Sequence, residues 1–197
     1  MRSNRGFTVI ELILTVSMVA VLVAVAMPAL KRSTARHNAK GAGMGLASDM
    51  MYARQLALTE NNTFHVCFDV ANNRYTIIDD NSSDGVDGPD CVTAVDDDSI
   101  VQTVNLLNSV TFGYSAGAEG PPEAPVDLAS DVNAGDGVGF AGNIAQFNPN
   151  GTTNSGYVYV NNQDPYNDTY AVGIPGSATG NILTWRLEPE TSNNWSR

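Results

Sequence analysis

The sequence contains few of the residues that build metal centres or catalytic sites. Its 197 residues include two cysteines and two histidines. Cys67 and Cys91 stand too far apart for a CxxC motif and are too few for a metal cage. His37 and His65 are not at metal-ligand spacing, and no serine or cysteine has an obvious base beside it. These absences speak against an enzyme, and we expect no cofactor.

Basic residues are scarce beyond position 40. The chain has 21 acidic residues against 10 basic ones, for a formal net charge of -11, and only four of the basic residues fall after residue 40. Proteins that bind nucleic acid rely on clustered lysine and arginine. The distribution therefore speaks against nucleic acid as a partner, and it predicts a solvated, anionic domain.

One long apolar segment lies near the N-terminus. Residues 7–30 cover 24 positions, or about 36 Å as a helix, which is enough to cross a hydrocarbon core of about 30 Å. A single carboxylate, Glu11, lies near the start of this segment. A carboxylate within a membrane is costly, so by default it has a function and a positively charged partner.

The start of the chain resembles a bacterial type IV prepilin. The resemblance rests on a short basic leader, Gly6, Phe7, Glu11 as the fifth mature residue and Pro28 as the twenty-second. It implies that prepilin peptidase cleaves after Gly6 and that Phe7 becomes the N-methylated terminus. It also implies that Glu11 meets the N-terminal amine of a neighbouring subunit, so that apolar helices form the core of a filament.

Three other interpretations of the apolar segment compete with this one. A secretory signal peptide is favoured by the small-x-small pattern at residues 24–26, but the charge at Glu11 and the length of the run speak against it. An ordinary membrane anchor explains the length of the segment without explaining Glu11 or the pair Gly6-Phe7. A buried soluble helix is disfavoured by so continuous an apolar run.

The orientation in the membrane follows from the resemblance and not from charge. Four basic residues follow the apolar segment, so the positive-inside rule by itself favours the opposite orientation. With the prepilin resemblance and the cysteines, we expect a single pass through the inner membrane, a periplasmic head and a filament after assembly. An exported domain lies where disulfides persist. We therefore expect a bridge between Cys67 and Cys91, and two free buried thiols are the alternative.

The remaining pattern predicts an α+β fold, with a long helix packed on an antiparallel sheet. We divide the chain into a leader (1–6), a transmembrane and filament-core helix (7–30), an amphipathic helix (31–60) and a β-rich head (61–197). Pro28 is expected to kink the helix because it removes a backbone donor. Glycines at positions 41, 43 and 45 predict a weak point farther along. Beyond them, Leu46, Met50, Ala53 and Ala57 are spaced for one buried face.

Alternating residues predict the strands of the head. Residues 63–70 alternate, and Asn72-Asn73 turns the chain into a second strand at 75–78, which makes a hairpin. His65 falls on the face opposite the apolar one, so we expect it at the surface or in a second layer. Residues 115–137 contain three prolines and predict a long surface loop. Further strands are predicted at 100–107, 110–114, 138–140, 157–160, 170–174 and 182–187.

The pattern of the head narrows the resemblance to the GspH/FimT group of minor pilins and pseudopilins. The residues that carry it are Ala53-Arg54 and Ala57 on the helix, Val66-Cys67 on a strand, and the turn Phe-Asn-Pro-Asn-Gly at 147–151. The resemblance implies a minor subunit of a type IV pilus, at its tip or in its initiation. A pseudopilin H-like subunit of a type II secretion system is the alternative. Other pilins or pseudopilins, prepilin peptidase and the inner membrane are the implied partners.

A binding module at the filament tip is an alternative of another class. It would act as a DNA-uptake receptor or an adhesin, presented by the filament. Group members implicated in DNA uptake resemble one another in a basic Gly-Arg-x-Arg stretch near the C-terminus. The corresponding residues 180–186 contain one arginine, Arg186, where two are needed. This departure speaks against DNA binding.

An acidic loop offers the one pattern that resembles a metal site. Asp80, Ser82 and Asp84 place oxygen atoms at alternate positions before a glycine, as a calcium loop does. The twelfth position of such a loop is a bidentate glutamate, and here it is Cys91. We therefore expect a solvated turn rich in Asp, Asn and Gly, with calcium binding as the alternative. The tyrosines and tryptophans near the C-terminus are expected to pack between strands.

Overall fold

In the residues that the structure describes, one long helix precedes the strands. The chain divides into two compact units, residues 1–35 and residues 36–197. The helix α1 (Val9–Glu60) forms most of the first unit and begins the second. The computed structural model describes residues 8–81, 98–107, 109–114, 136–162, 168–176, 178, 180–187 and 195–196.

In the second unit, one face of α1 is buried, as the spacing of its apolar residues predicts. The helix ends at Glu60, and Asn61 follows with a φ of 56°. This left-handed conformation is one that asparagine tolerates, and it stops the helix. The buried residues are small or unbranched and lie at helical spacing: Ala39, Gly43, Leu46, Ala47, Met50, Ala53 and Ala57.

The helix α1 is continuous through its glycines, so the predicted weak point does not interrupt the helix. The helix continues through positions 41, 43 and 45. Gly43 is buried, and a Cβ placed there would lie 3.0 Å from Cβ of Tyr170 and 3.6 Å from Cγ2 of Val160. A Cβ at Gly41 or Gly45 would meet no atom within 4 Å. Gly43 therefore lets the helix approach the strands closely, at the usual cost of glycine in a helix.

The described strands form two antiparallel sheets. The first sheet has the order β3-β2-β1-β5, and the second has the order β4-β6-β7-β8-β9. The strands are β1 (Thr63–Asp69), β2 (Arg74–Asp80), β3 (Ser99–Asn105), β4 (Val110–Phe112), β5 (Ile144–Phe147), β6 (Gly156–Asn162), β7 (Thr169–Ile174), β8 (Leu183–Leu187) and β9 (Trp195–Ser196).

One core joins α1 to both sheets. It contains the buried face of the helix together with inward residues such as Phe64 and Ile77 of the first sheet and Val160 and Val172 of the second. Burying such side chains contributes about 1.5–3 kcal/mol each. The arrangement confirms the predicted α+β fold, in which the helix packs on antiparallel strands.

A polar contact also ties the helix to the first sheet. The Tyr75 hydroxyl donates to Oδ2 of Asp49 over 2.6 Å. Burial and the Asp49 carboxylate both raise the pKa of Tyr75, so the phenol keeps its proton and remains a donor. Apolar packing thus holds α1 against both sheets, and this hydrogen bond adds a specific contact on one side.

The two sheets are also connected through the turn of the first hairpin. Asn73 has a φ of 53°, and its side-chain amide donates to the backbone oxygen of Val110 over 2.6 Å. Its side-chain oxygen accepts from the backbone nitrogen of Phe112 over 3.3 Å. Val110 and Phe112 belong to β4, the edge strand of the second sheet. The Asn73 amide therefore occupies hydrogen-bonding groups on that edge.

The outer face of the first sheet is buried around His65, which overturns the surface position predicted for this residue and agrees with the second-layer one. The predicted hairpin forms between β1 and β2, and His65 does lie on its polar side. Yet only 4% of His65 is exposed. Cys67, Ile78 and Ile144 pack together on that same face. On the second sheet, the packing expected of the aromatic residues is confirmed by the cluster Tyr157, Tyr159, Ala171 and Trp185.

Three strand predictions differ from the structure in the part of the chain that it describes. Residues 138–140 form an isolated bridge between Val138 and Val158 and not a full strand. β5 and β9 were not predicted. The predicted loop at 115–137 falls almost wholly outside the described residues. The other predicted strands are present, with ends that shift by one to two residues.

His65 makes a buried contact with Asp80. Nε2 of His65 lies 3.0 Å from Oδ2 of Asp80, and the two side chains are 5% and 2% exposed. A carboxylate only accepts hydrogen bonds, so Nε2 carries the proton. Burial lowers the pKa of His65 below its ordinary value, and the neighbouring charges of Asp80 and Asp98 offset part of this effect.

The close approach at Gly43 leads to a stability prediction. Gly43→Val should lower the free energy of unfolding by about 1–3 kcal/mol, because its side chain meets Tyr170 in a packed site. Gly41→Val adds the same side chain where nothing lies within 4 Å, and it should stay within about 0.5 kcal/mol of wild type. Thermal unfolding of the full chain in detergent, followed by circular dichroism, compares the two. Equal melting temperatures would contradict the role given to Gly43.

The buried histidine leads to a prediction about pH. The pKa of His65 is lower in the folded than in the unfolded chain, so the unfolded chain binds more protons below about pH 6.5. Stability should therefore be complete above that pH and decrease as the pH falls toward about 5. His65→Gln should make the melting temperature less dependent on pH in this window. His37→Gln, at an exposed position, should keep the wild-type pH dependence. A flat wild-type profile would refute the prediction.

Candidate assembly surface

The apolar half of α1 is exposed on all sides. Its fourteen large apolar side chains between Val9 and Leu30 are 49% to 77% exposed. By length and composition this helix can cross a membrane, and its most apolar 18 residues are not buried at all. A helix that is apolar all round must be covered by lipid or by other helices. This surface, residues 9–30, is the candidate assembly surface.

The hydroxyl groups of the first unit bond back to the helix. Thr15 Oγ1 donates to the carbonyl of Leu12 over 2.9 Å, and Ser17 Oγ donates to the carbonyl of Ile13 over 2.7 Å. Polar groups in lipid need internal partners. These bonds let the two polar side chains lie within an apolar environment without losing hydrogen bonds.

Glu11 has a local structural role that sequence reasoning missed. Thr8 precedes the helix, and its Oγ1 accepts from the backbone nitrogen of Glu11 over 3.3 Å. Thr8-x-x-Glu11 is the pattern of a capping box, and this signal was visible in the sequence. The first residues of α1 are also where a negative charge is favourable to the helix dipole. The observed bond engages the backbone of Glu11 and not its carboxylate, so the side chain contributes to the start of the helix only through this dipole effect.

The capping contact leaves the Glu11 side chain available. Within the described residues, no hydrogen bond or ion pair engages its carboxylate, and no cation lies on the helix between it and Lys31. A carboxylate in apolar surroundings without a partner is unstable. The Glu11 carboxylate is therefore a candidate for pairing with a positively charged group once this surface is covered.

The other predicted N-terminal residues are only partly described. Gly6 and Phe7 lie outside the described residues, so cleavage and methylation there stay predictions. Pro28 lies inside α1, which continues on both sides of it. A local kink at Pro28 also stays a prediction.

The predicted disulfide and the calcium loop are each described in part. Cys67 is buried on β1, and Cys91 lies outside the described residues, so their bridge stays a prediction. Asp80 is 1% exposed and shares a hydrogen bond with His65. Ser82 and Asp84 lie outside the described residues. In the part that is described, no group of three His, Cys, Asp or Glu residues could hold a metal ion.

In the C-terminal region, Arg186 lies close to an acidic side chain. Nη2 of Arg186 lies 3.9 Å from Oδ1 of Asp168, whose side chain is 5% exposed. Arg186 therefore has a buried acidic neighbour. Arg186, partly neutralised by this neighbour, gives little support to a nucleic-acid surface.

The sequence matches a known protein family over most of its length. The profile described as type II transport protein GspH matches residues 42–180. This match confirms the predicted resemblance to the GspH/FimT group. No curated protein matches the chain significantly.

Solved structures of two proteins are similar to the chain. One is the minor pseudopilin EpsH from the type 2 secretion system of Vibrio cholerae, with 14% identity, a TM-score of 0.46 and coverage of 78% of this chain and 99% of that one. The other is the type IV minor pilin FimU of Pseudomonas aeruginosa, with 12% identity, a TM-score of 0.47 and coverage of 80% and 93%.

Proposed function

The chain belongs to the GspH family, and from this membership we propose that it is a minor pilin-like subunit of a type IV filament. It is stored in the bacterial inner membrane with its head in the periplasm, and it acts in initiation or at the tip. The observation that carries the proposal is the bare apolar surface at residues 9–30. In the membrane this surface contacts lipid, and in the filament it contacts the helices of other subunits.

The mechanism of assembly centres on Glu11. Cleavage after Gly6 would create a new amine at Phe7, and methylation would keep its positive charge. When the subunit enters the filament, its Glu11 carboxylate pairs with the amine of a neighbour. A charge-assisted contact of this kind is stronger in apolar surroundings than in water. The entering helix is therefore most stable at the one axial position where the carboxylate and the amine meet.

A role in a type II secretion system is the alternative. The family is described by its part in type II transport, which supports a pseudopilin H-like subunit. The same helix and the same Glu11 would serve in either system, because both functions need an apolar helix that moves from lipid into a helical assembly. A DNA-binding tip module has less support, since Arg186 lies beside Asp168.

Processing is tested by the mass of the mature N-terminus. The full chain, recovered from cells that carry the filament machinery, should begin at N-methylated Phe7. A deletion of the peptidase should leave the chain starting at Met1. A chain that begins directly after residue 26 would identify a signal peptide and refute the filament function.

Assembly is tested by Glu11→Gln. Glutamine keeps the capping-box pattern but removes the charge, so membrane insertion should be retained. Incorporation into sheared filaments should fall by at least about tenfold, since a charge-assisted hydrogen bond contributes about 1.5–3 kcal/mol. Secreted proteins in the medium are measured in parallel, and a defect there without loss of pili would favour the secretion system.

Thr8→Ala is the matched control for this experiment. It removes the cap, at a cost of about 0.5–2 kcal/mol in helix stability, but leaves the carboxylate in place. We expect it to assemble at near wild-type levels. If Thr8→Ala is impaired as strongly as Glu11→Gln, assembly depends on the start of the helix in general, and the docking role given to the Glu11 charge is wrong.

A further inference from the structure

A basic pocket lies in the second unit, between α1 and the strands β7 and β8. Its volume is about 470 Å³, far more than one bound ion needs. Arg36, His37 and Lys40 line it from the helix, and Tyr170, Trp185 and Arg186 line it from the strands. None of the described residues that line the pocket is acidic.

This concentration of positive charge is unusual in so acidic a protein. Three of the seven lysines and arginines in the described residues line the pocket, in a chain with a net charge of -11. Arg36 and Lys40 stand four residues apart on one helix. Like charges at that spacing destabilise a helix by a few tenths of a kcal/mol. An anion bound between the two side chains would attract both of them, so the pair would then stabilise the helix.

Neighbouring groups shape the pocket as a site for an oxyanion. The Arg36 guanidinium hydrogen-bonds to the hydroxyl of Tyr170, which holds the arginine side chain against the wall. Arg186 is partly neutralised by Asp168, whereas Lys40 has no ion-pair partner among the residues that the structure describes. Guanidinium and ammonium groups together suit phosphate, the first through paired hydrogen bonds and the second as a point charge.

The position of these residues along the chain indicates the source of the phosphate. Arg36 follows Leu30, the end of the apolar run, by six residues. Even a fully extended chain covers only about 22 Å over that distance, and a helix covers about 9 Å. The polar layer of a bilayer extends about 5–8 Å beyond the hydrocarbon core. On a helix the Arg36 backbone therefore lies just beyond the headgroup layer, and its long side chain can extend back toward the headgroups while the subunit is stored in the membrane.

We propose that the pocket binds the phosphate of an anionic phospholipid headgroup from the outer face of the membrane. The proposal rests on the membrane storage included in the proposed function. It also accounts for two of the four basic residues that follow the apolar run, on the side where the positive-inside rule predicts few of them. Trp185 and Tyr170 add the type of aromatic wall that suits the membrane interface.

The test uses the full chain in detergent and counts retained lipids by native mass spectrometry. Phosphatidylglycerol is added, with phosphatidylcholine as the zwitterionic comparison. Arg36→Gln/Lys40→Gln should reduce retained phosphatidylglycerol by about tenfold or more. Lys31→Gln/Arg32→Gln removes the same two charges from the same helix outside the pocket, and its loss of phosphatidylglycerol should be clearly smaller than that of the pocket variant.

Several results would overturn the proposal. Equal loss in the two double variants would assign the effect to general surface charge, and equal retention of phosphatidylcholine would assign it to nonspecific lipid binding. Displacement of the lipid by millimolar inorganic phosphate would identify a free phosphate as the ligand. Displacement by an oligo-glutamate peptide would identify an acidic protein partner.

The outcome of the lipid experiment can be distinguished from the outcome of the filament proposal. The four pocket and control residues are exposed on α1, so both double variants should melt within a few degrees of wild type, and circular dichroism checks this. Lipid retention needs neither cleavage after Gly6 nor Glu11. A chain that is not processed would refute the filament function and leave the lipid result intact. A processed chain without lipid selectivity would refute only the pocket.

Discussion

The close approach between α1 and the two sheets is the constraint on which the head depends. The buried face of the helix consists largely of alanine and glycine, so the backbone comes near the strands. At Gly43 a Cβ would lie only 3.0 Å from Cβ of Tyr170 in the second sheet, so its neighbours would have to shift. Six residues later, Asp49 accepts a hydrogen bond from Tyr75 of the first sheet. With larger residues here the helix would move outward, and the shared core of helix and sheets would open.

The same helix meets two different surroundings along its length. From residue 9 to residue 30 its apolar side chains are bare, while beyond residue 36 its apolar face is buried in the core of its own chain. The apolar surface of the second part is thus removed from water within the chain, whereas that of the first part is not. The bare part can be covered only by lipid or by other chains, which is the physical basis for a subunit that exchanges one for the other.

Sequence reasoning predicted the features that depend on periodicity and missed those that depend on context. The hairpin of β1 and β2 was predicted because its residues alternate, and the buried face of α1 because Leu46 and Met50 recur at helical spacing. β5 was missed because four residues with a glutamine among them give a weak pattern, and β9 because it has only two residues. His65 alternates as a polar outer residue should, but periodicity does not reveal that the outer face is covered. The candidate assembly surface was predicted well, since an apolar run is a local property. The Thr8 cap on Glu11 was overlooked although its pattern was visible, and the basic pocket required the three-dimensional meeting of α1 with β8.

The Asn73 side chain on the edge of β4 has a consequence for how copies of this chain can associate. An open strand edge is a template on which a strand of another molecule can pair. Here a side-chain amide takes the place of that strand at Val110 and Phe112, and it comes from the same chain. A neighbour that approaches this edge finds its hydrogen-bonding groups already used. Edge-to-edge strand pairing is thereby blocked at this point of the second sheet, so a neighbouring head can lie against this edge without extending the sheet through it.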